Sequence, residues 1–212
     1  MNSDHSATAS RRRPNARGEG PRLRGDIIAA TVRLIAQVGS VEAVSLRAIA
    51  REAGIDPMSI YRHFATKEEL VWAVLDAEFT ELADALDEAE GRFQDPIERL
   101  RARCLAYAGF GIERSGEFVV LFGTEGRPTP PHAAAERLPG WPVFAAFVTA
   151  VERCRPDAGR GKASDATMRA TLLWVALHGA TVLRLSKRGF PWPPLELMVD
   201  ELLRHLVVEP SS

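Results

Sequence analysis

The chain has 212 residues, of which 46% are hydrophobic and 26% charged, with a net charge of −1. These are ordinary globular proportions that allow a sizeable core, in one large domain or a small one plus a larger one. Global charge therefore gives no argument for a polyanionic partner, but its distribution is uneven: residues 1–70 carry 11 Lys+Arg against 8 Asp+Glu, and residues 71–212 carry 16 against 20. Much of the positive excess lies in the first 25 residues, where Arg11, Arg12, Arg13, Arg17, Arg22 and Arg24 face only Asp4 and Glu19.

Residues 1–21 are rich in Ser, Arg, Pro and Gly without periodicity and read as a disordered basic arm. Arginines without a following apolar core do not make a secretory signal. Ile27, Ala30, Thr31, Leu34, Ile35 and Val38 then fall on one face of a helix that Gly39 stops. Ser45 is placed to cap a helix carrying Leu46, Ile49, Ala50 and Ala53, which Gly54 ends. Asp56 caps the next piece, with Pro57 at its first position. Thr66-Lys67-Glu68-Glu69 reads as a capping box ahead of a longer helix through Leu70, Ala73, Val74 and Ala77.

Asp95-Pro96 opens a helix carrying Leu100, Cys104 and Tyr107. A short apolar piece follows at Phe118–Phe122, then a loop at 124–133. Pro142 to about Cys154 carries Phe144, Phe147, Val148 and Val151, and residues 155–164 read as a second, mobile loop. Ser164 starts a long helix to about Lys187, and Leu195, Met198, Val199, Leu202, Leu203 and Leu206 form a last amphipathic one. No segment alternates with a period of two, so the expected class is all-α with about nine helices. Cys104 and Cys154 both fall on apolar stripes, so buried thiols in a reducing cytoplasm are expected rather than a disulfide. The longest largely apolar stretch, Thr171–Leu185, contains His178 and Arg184. It reads as too short and too polar to span a membrane.

Two short helices joined by a tight turn at Gly54 follow the helix-turn-helix plan, whose second helix enters a DNA major groove. On this reading Ile49, Ala50 and Ile60 lock the pair, leaving Met58, Ser59, Tyr61, Arg62 and His63 off the packed side. Hydroxyl, phenol, guanidinium and imidazole groups suit phosphates and base edges. Lys67 and the free N–H groups at the start of the following helix can hold one more phosphate. By spacing alone, a helical hairpin within a bundle stays open as an alternative. The combination Leu46-Arg47-Ala48-Ile49-Ala50, Ala53-Gly54-Ile55, Tyr61-Arg62-His63-Phe64 and Lys67-Glu68-Glu69-Leu70 resembles the DNA-binding domain of the tetracycline-repressor family of bacterial regulators, over residues 24–72. Asp56-Pro57-Met58 varies from the small or polar residues more usual there. The resemblance implies phosphate contacts from Ser45, Tyr61, His63 and Lys67, and a groove-facing set of Pro57, Met58, Ser59 and Arg62. Arg47 joins the DNA-contacting candidates. Ile49 and Phe64 are implied core. The arm is either a salt-sensitive DNA contact or a solubilising tail.

In the C-terminal part, Trp174 and His178 lie four apart on one helix face, with Gly179 next. This looks like the Trp-x-x-x-His-Gly type of C-terminal domain in a subset of the same family. Gly179 costs about 1 kcal/mol against Ala, which points to close approach by another helix. A helix apolar nearly all round suggests burial against a second subunit, with internal core as the alternative. Leu172, Val175, Gly179 and Leu183, with Leu195, Met198, Leu202 and Leu206, form the expected four-helix homodimer interface. Tyr107, Phe110, Phe118, Phe122, Phe144, Phe147, Trp174 and His178 are the candidate lining of an apolar effector site.

The expected domains are the arm at 1–21, a helix-turn-helix domain at 22–68, and a ligand-binding and dimerisation domain at 69–212. Gly109–Gly116 lacks the glycine spacing and preceding strand of a nucleotide loop, and no nucleophile elbow or P-loop occurs. No enzyme activity, cofactor or metal site is expected; a lone His178 reads as a hydrogen-bonded core residue. The expected partners are a double-stranded palindromic operator, an unidentified small-molecule effector and a second copy of the chain, with no membrane. A ligand-independent DNA-binding protein remains the alternative.

Overall fold

The computed structural model describes residues 19–123, 138–154 and 163–208. The loop at 124–133 and all but the last two residues of that at 155–164 lie outside the described residues, as does the arm up to residue 18. The described residues form nine helices and no strand.

The first, α1 (Glu19–Val38), begins within the segment read as arm, so Glu19, Gly20 and Pro21 are helical. It ends where Gly39, at φ 74°, donates its N–H to the Ile35 carbonyl. Only glycine adopts that left-handed geometry at little cost. α2 (Leu46–Glu52) and α3 (Pro57–Ile60) are short and individually unstable. They are held by caps and burial. Ser45 Oγ accepts from the Ala48 N–H at 3.2 Å, and Asp56 Oδ1 from the Met58 N–H at 2.9 Å. Gly54, at φ 66°, turns the chain between them. Ile49, Ala50, Ile60 and Phe64 are buried where α2 packs on α1 and α3 on α2. Each large apolar side chain so buried contributes about 1.5–3 kcal/mol. Past Ile60 the winding continues as turns, with the His63 and Phe64 N–H groups both donating to the Ile60 carbonyl.

α4 (Lys67–Glu90) starts with a modified capping box. Thr66 Oγ1 accepts from the Glu69 N–H as expected, but the Glu69 carboxylate accepts from Ala65 rather than from Thr66, one residue earlier. The expected domain boundary at 68/69 falls in the first turn of α4, which then buries Leu70, Val74, Leu82 and Leu86 and runs on into the larger half. α5 (Pro96–Glu113) is capped by Asp95, whose Oδ1 accepts from Ile97 and Glu98 N–H at 2.9 and 3.0 Å. It pairs with α4 through buried Arg103, which donates to Glu90 at 2.7 Å and to Asp87, while Arg99 donates to Glu90 at 2.7 Å. Burial raises the Glu90 pKa, but the two guanidiniums outweigh it and hold the carboxyl below its ordinary range.

The remaining helices are α6 (Ser115–Phe122), α7 (Trp141–Arg153), α8 (Ala163–Ser186) and α9 (Leu195–Leu206). α6 starts three residues before the predicted apolar piece. α8 lies against α5, α7 and α9, burying Ala170, Leu173, Leu177 and Thr181. From Asp165 to Ser186 it is long and apolar enough to cross a membrane. That corrects the length argument made from Thr171–Leu185, although one face of the helix is built into this core. Both thiols are free: Cys104 is fully buried, while Cys154 is half-buried and donates to the Pro96 carbonyl at 3.3 Å. Buried side chains from Ile27 in α1 to Val207 after α9 make one continuous apolar cluster.

Candidate functional site

Two groups of residues carry the chemistry, one at each end of this core. At the α2–α3 end, Pro57, Met58, Tyr61 and Arg62 are exposed, with Met58 at 69% and Tyr61 at 50%. Arg47 and Ser45 are exposed beside them, and His63 is half-buried. The Ser45 oxygen is engaged as the α2 cap, leaving its O–H free to donate outward. Lys67 is also partly committed, donating to the Glu42 carbonyl at 3.3 Å. One residue departs from its sequence assignment. Ser59 is only 5% exposed, and its hydroxyl accepts from Arg62 Nη2 at 2.8 Å. It lies under the surface and holds Arg62. Sequence reading also left out of the contact set Arg24 of α1, whose guanidinium carbon sits 4.9 Å from the Phe64 ring centroid and adds a cation at this end.

At the other end, α5, α6, α7 and α8 bring together seven of the eight predicted lining residues. Phe118 and Phe122 lie with ring centroids 4.7 Å apart, and Tyr107 is 6.0 Å from each and from Phe147. Phe144 is 6.1 Å from Trp174, and His178 stacks on Phe118 at 5.3 Å. Phe110 is the exception, because it turns toward Arg114, whose guanidinium carbon lies 4.7 Å from its ring. Two rings were missed: Phe79 of α4, 5.7 Å from Phe122, and Trp141, 5.7 Å from Phe144. Phe79 is flagged in the sequence only by lying between the core positions Leu75 and Leu82. An open groove of about 300 Å³ lies elsewhere, between α4 and α5, around Phe93 and Leu105.

The polar atoms of the ring cluster form a chain. Trp174 Nε1–H donates to the Tyr107 oxygen at 3.0 Å, and that oxygen lies 3.0 Å from His178 Nδ1. Burial pushes the Tyr107 pKa up, against a smaller opposite effect of the Trp174 bond, and pushes the His178 pKa down. Both groups are therefore neutral near pH 7.

The cluster connects to the α2–α3 end through α6. Phe118 and Phe122 belong to the rings, while Gly116 in the first turn lies so near α1 that a Cβ there would come within 2.6 Å of the Ala36 Cβ. Beside this contact Glu78 of α4 is buried, with Oε2 lacking a hydrogen-bond partner among the described residues. On α8, the side away from the core exposes Met168, Leu172, Val175, Val182 and Leu183, with Val175 at 56% and Leu172 at 48%. A Cβ on Gly179, in the same stripe, would meet nothing within 4 Å. The close approach expected there is thus not made by another described part of this chain. On α9, Leu195, Leu202 and Leu206 pack partly on the core, Met198 takes a bond from Arg184, and Leu197 is exposed instead. The four expected interface positions of α9 are thus half-buried, each leaving part of its side chain open. Among the described residues, no group of three or more His, Cys, Asp and Glu is placed to hold a metal.

Residues 27–74 match the family described as bacterial regulatory proteins, tetR family, and residues 100–209 match the tetracyclin repressor-like C-terminal domain. The chain is 36% identical over 85 residues to the HTH-type transcriptional regulator BetI of Brucella anthropi, covering 40% of this chain and 43% of that protein. Against the BetI of Brucella suis it is 34% identical over 85 residues, covering 40% and 42%. The matched segments thus span less than half the length of these relatives. Among solved structures, a TetR family transcription regulator from Marinobacter aquaeolei VT8 superposes with a TM-score of 0.66 at 22% identity, covering 88% of this chain and 96% of that one. FadR from Bacillus subtilis, solved in complex with stearoyl-CoA, gives a TM-score of 0.63 at 14% identity, covering 86% and 97%. At these identities the likeness is one of fold.

Proposed function

Because this chain belongs to the tetR family of bacterial regulatory proteins, we propose that it is a homodimeric repressor of a palindromic operator, released when a small apolar or aromatic effector enters its C-terminal ring cluster. DNA binding and transcriptional regulation, rather than catalysis, are what the family does. Such a protein works in the cytoplasm, needs no cofactor and makes no use of a membrane. Tyr61, Arg62, Arg47, Lys67 and Ser45 supply phosphate and base contacts, and the half-buried His63 adds a ring N–H. The exposed α8 stripe seats the second subunit, together with the half-buried Leu195, Met198, Leu202 and Leu206 of α9 and the exposed Leu197. A two-fold dimer sets the two α3 helices against half-sites about 34–36 Å apart.

The observation that carries the ligand response is the double attachment of α6. Its Phe118 and Phe122 side chains form part of the ring cluster, and its Gly116 backbone rests on Ala36 of α1. An occupant that separates the rings shifts α6, and α6 shifts the helix on which α2, and through it α3, is packed. Moving the population from about 99:1 to 1:99 requires a differential affinity of about 5.5 kcal/mol between the two arrangements.

The test is fluorescence anisotropy of the purified protein on the DNA upstream of its own gene, across a salt series. We expect affinity to fall steeply with salt and Tyr61→Ala to weaken binding. No salt-dependent binding, with Tyr61→Ala indistinguishable from the parent, sinks the reading. Rings that already pack on one another at 4.7–6.4 Å favour one second reading, a ligand-independent DNA-binding protein. A small-molecule screen in which nothing raises Tm or releases DNA would select it.

A further inference from the structure

The hydrogen bonds of the ring cluster have a direction, and one residue fixes it. Indole nitrogen only donates. The 3.0 Å contact from Trp174 Nε1 to Tyr107 therefore uses an acceptor lone pair of the phenol. His178 is the other hydrogen-bond partner of the phenol among the described residues, so a satisfied phenol hydrogen goes to Nδ1, 3.0 Å away, and Nδ1 accepts. A neutral imidazole that accepts at Nδ1 carries its hydrogen on Nε2. His178 is half-buried, its ring stacked on Phe118 and edged by Phe122 at 4.9 Å. The relay thus spends both Trp174 and Tyr107 and ends on one donor among aromatic faces.

We propose that His178 Nε2–H is the polar anchor of the effector site, and that the effector is a largely apolar molecule presenting a hydrogen-bond acceptor such as a ketone, aldehyde or ester carbonyl. This rests on the ring cluster being the effector site. A cation gains nothing from a donor. A hydroxyl or amine offered as donor finds no acceptor in the relay, because the phenol oxygen already takes the Trp174 hydrogen and gives its own away. In this arrangement Trp174 and Tyr107 are positioning residues, fixing the His178 tautomer as second-layer hydrogen bonds do for other histidines. The four-residue spacing of Trp174 and His178 puts both within reach of a single phenol on α5, which accounts for the Trp-x-x-x-His pair in one physical step.

Two measurements test it on the full-length protein. Nitrogen-15 NMR of the His178 ring at pH 7.5 reads the tautomer directly. The Nε2–H form is expected in the parent, and Tyr107→Phe should give a mixture. An Nδ1–H ring in the parent overturns the proposal. Acetophenone and isopropylbenzene, matched in shape and differing in the carbonyl, are then titrated while the His178 and Trp174 ring signals are followed. Acetophenone is expected to bind about five- to tenfold tighter, and the difference should vanish in His178→Ala. Equal binding of the two overturns the acceptor requirement while leaving the cluster as an apolar effector site. Failure of both to bind or release DNA overturns the site itself.

Discussion

Glu78 shows how a single side chain registers the fold around it. Burial, then Glu81 and Glu117, raise its pKa from 4.5 to about 7, with only Arg114 opposing. The folded state therefore holds this proton more tightly than the unfolded chain. Stability is fully expressed below about pH 4.5, falls as pH rises toward 7, and is flat above that. Glu78→Gln should remove this slope and raise stability at pH 8 by up to about 3 kcal/mol, measured as Tm of parent and variant between pH 5 and 8. At this scale the sequence was most legible where one residue acts on its own neighbours. Ser45, Asp56, Thr66 and Asp95 all cap as their spacing predicts, because the oxygen and the N–H groups it reaches lie within a few residues. Ser59 was misread because its burial depends on how α3 lies on α2, which no local pattern contains. His178 was read correctly as a hydrogen-bonded residue, but its partner Tyr107 is 71 positions away.

Among the elements, α5 and α6 each fit closely against a neighbour at a glycine. A Cβ at Gly116 would collide with Ala36, and one at Gly111 would come within 2.4 Å of Thr181 Cγ2 and 2.9 Å of the Phe118 ring. Gly116→Val should cost about 1–3 kcal/mol by overpacking, read by urea unfolding, and should also weaken operator affinity by pushing α6 off α1. A variant destabilised to that extent with unchanged DNA affinity would break the proposed route through α6. Asp95→Ala provides the contrast, since it removes a cap far from that route. We expect a loss of about 1 kcal/mol in the same unfolding assay and no change in DNA binding. Helix periodicity made the order of the elements readable, and the ring cluster partly so. Tyr107, Phe118, Phe122, Phe147, Trp174 and His178 stand on predicted faces of four helices. Phe110 could not be sorted from them, since it shares α5 with Tyr107 at three-residue spacing but turns to Arg114. Phe79 and Trp141 join from α4 and the start of α7, and only tertiary packing brings them in.

For the whole molecule, the proposed dimer is tested on the exposed α8 face. Val175→Glu, placing a charge in the centre of that stripe, should halve the mass seen by analytical ultracentrifugation and abolish tight operator binding. Retention of the parent's mass would show that α8 is not the seam. Gly179→Ala separates folding from assembly. The added methyl meets nothing among the described residues, so helix propensity should stabilise the isolated chain by about 1 kcal/mol, while the proposed dimer weakens.

In the proposed dimer, the uncovered α8 stripe would also make abundance a physical variable. A subunit that leaves Met168, Leu172 and Val175 to water alone, and covers them by pairing, has a fold strengthened by its own concentration. Each tenfold dilution through the dissociation range then removes about 1.4 kcal/mol from the assembled state. If scarce, such a dimer would lose durability and grip on DNA together, and a small rise in its synthesis would restore both.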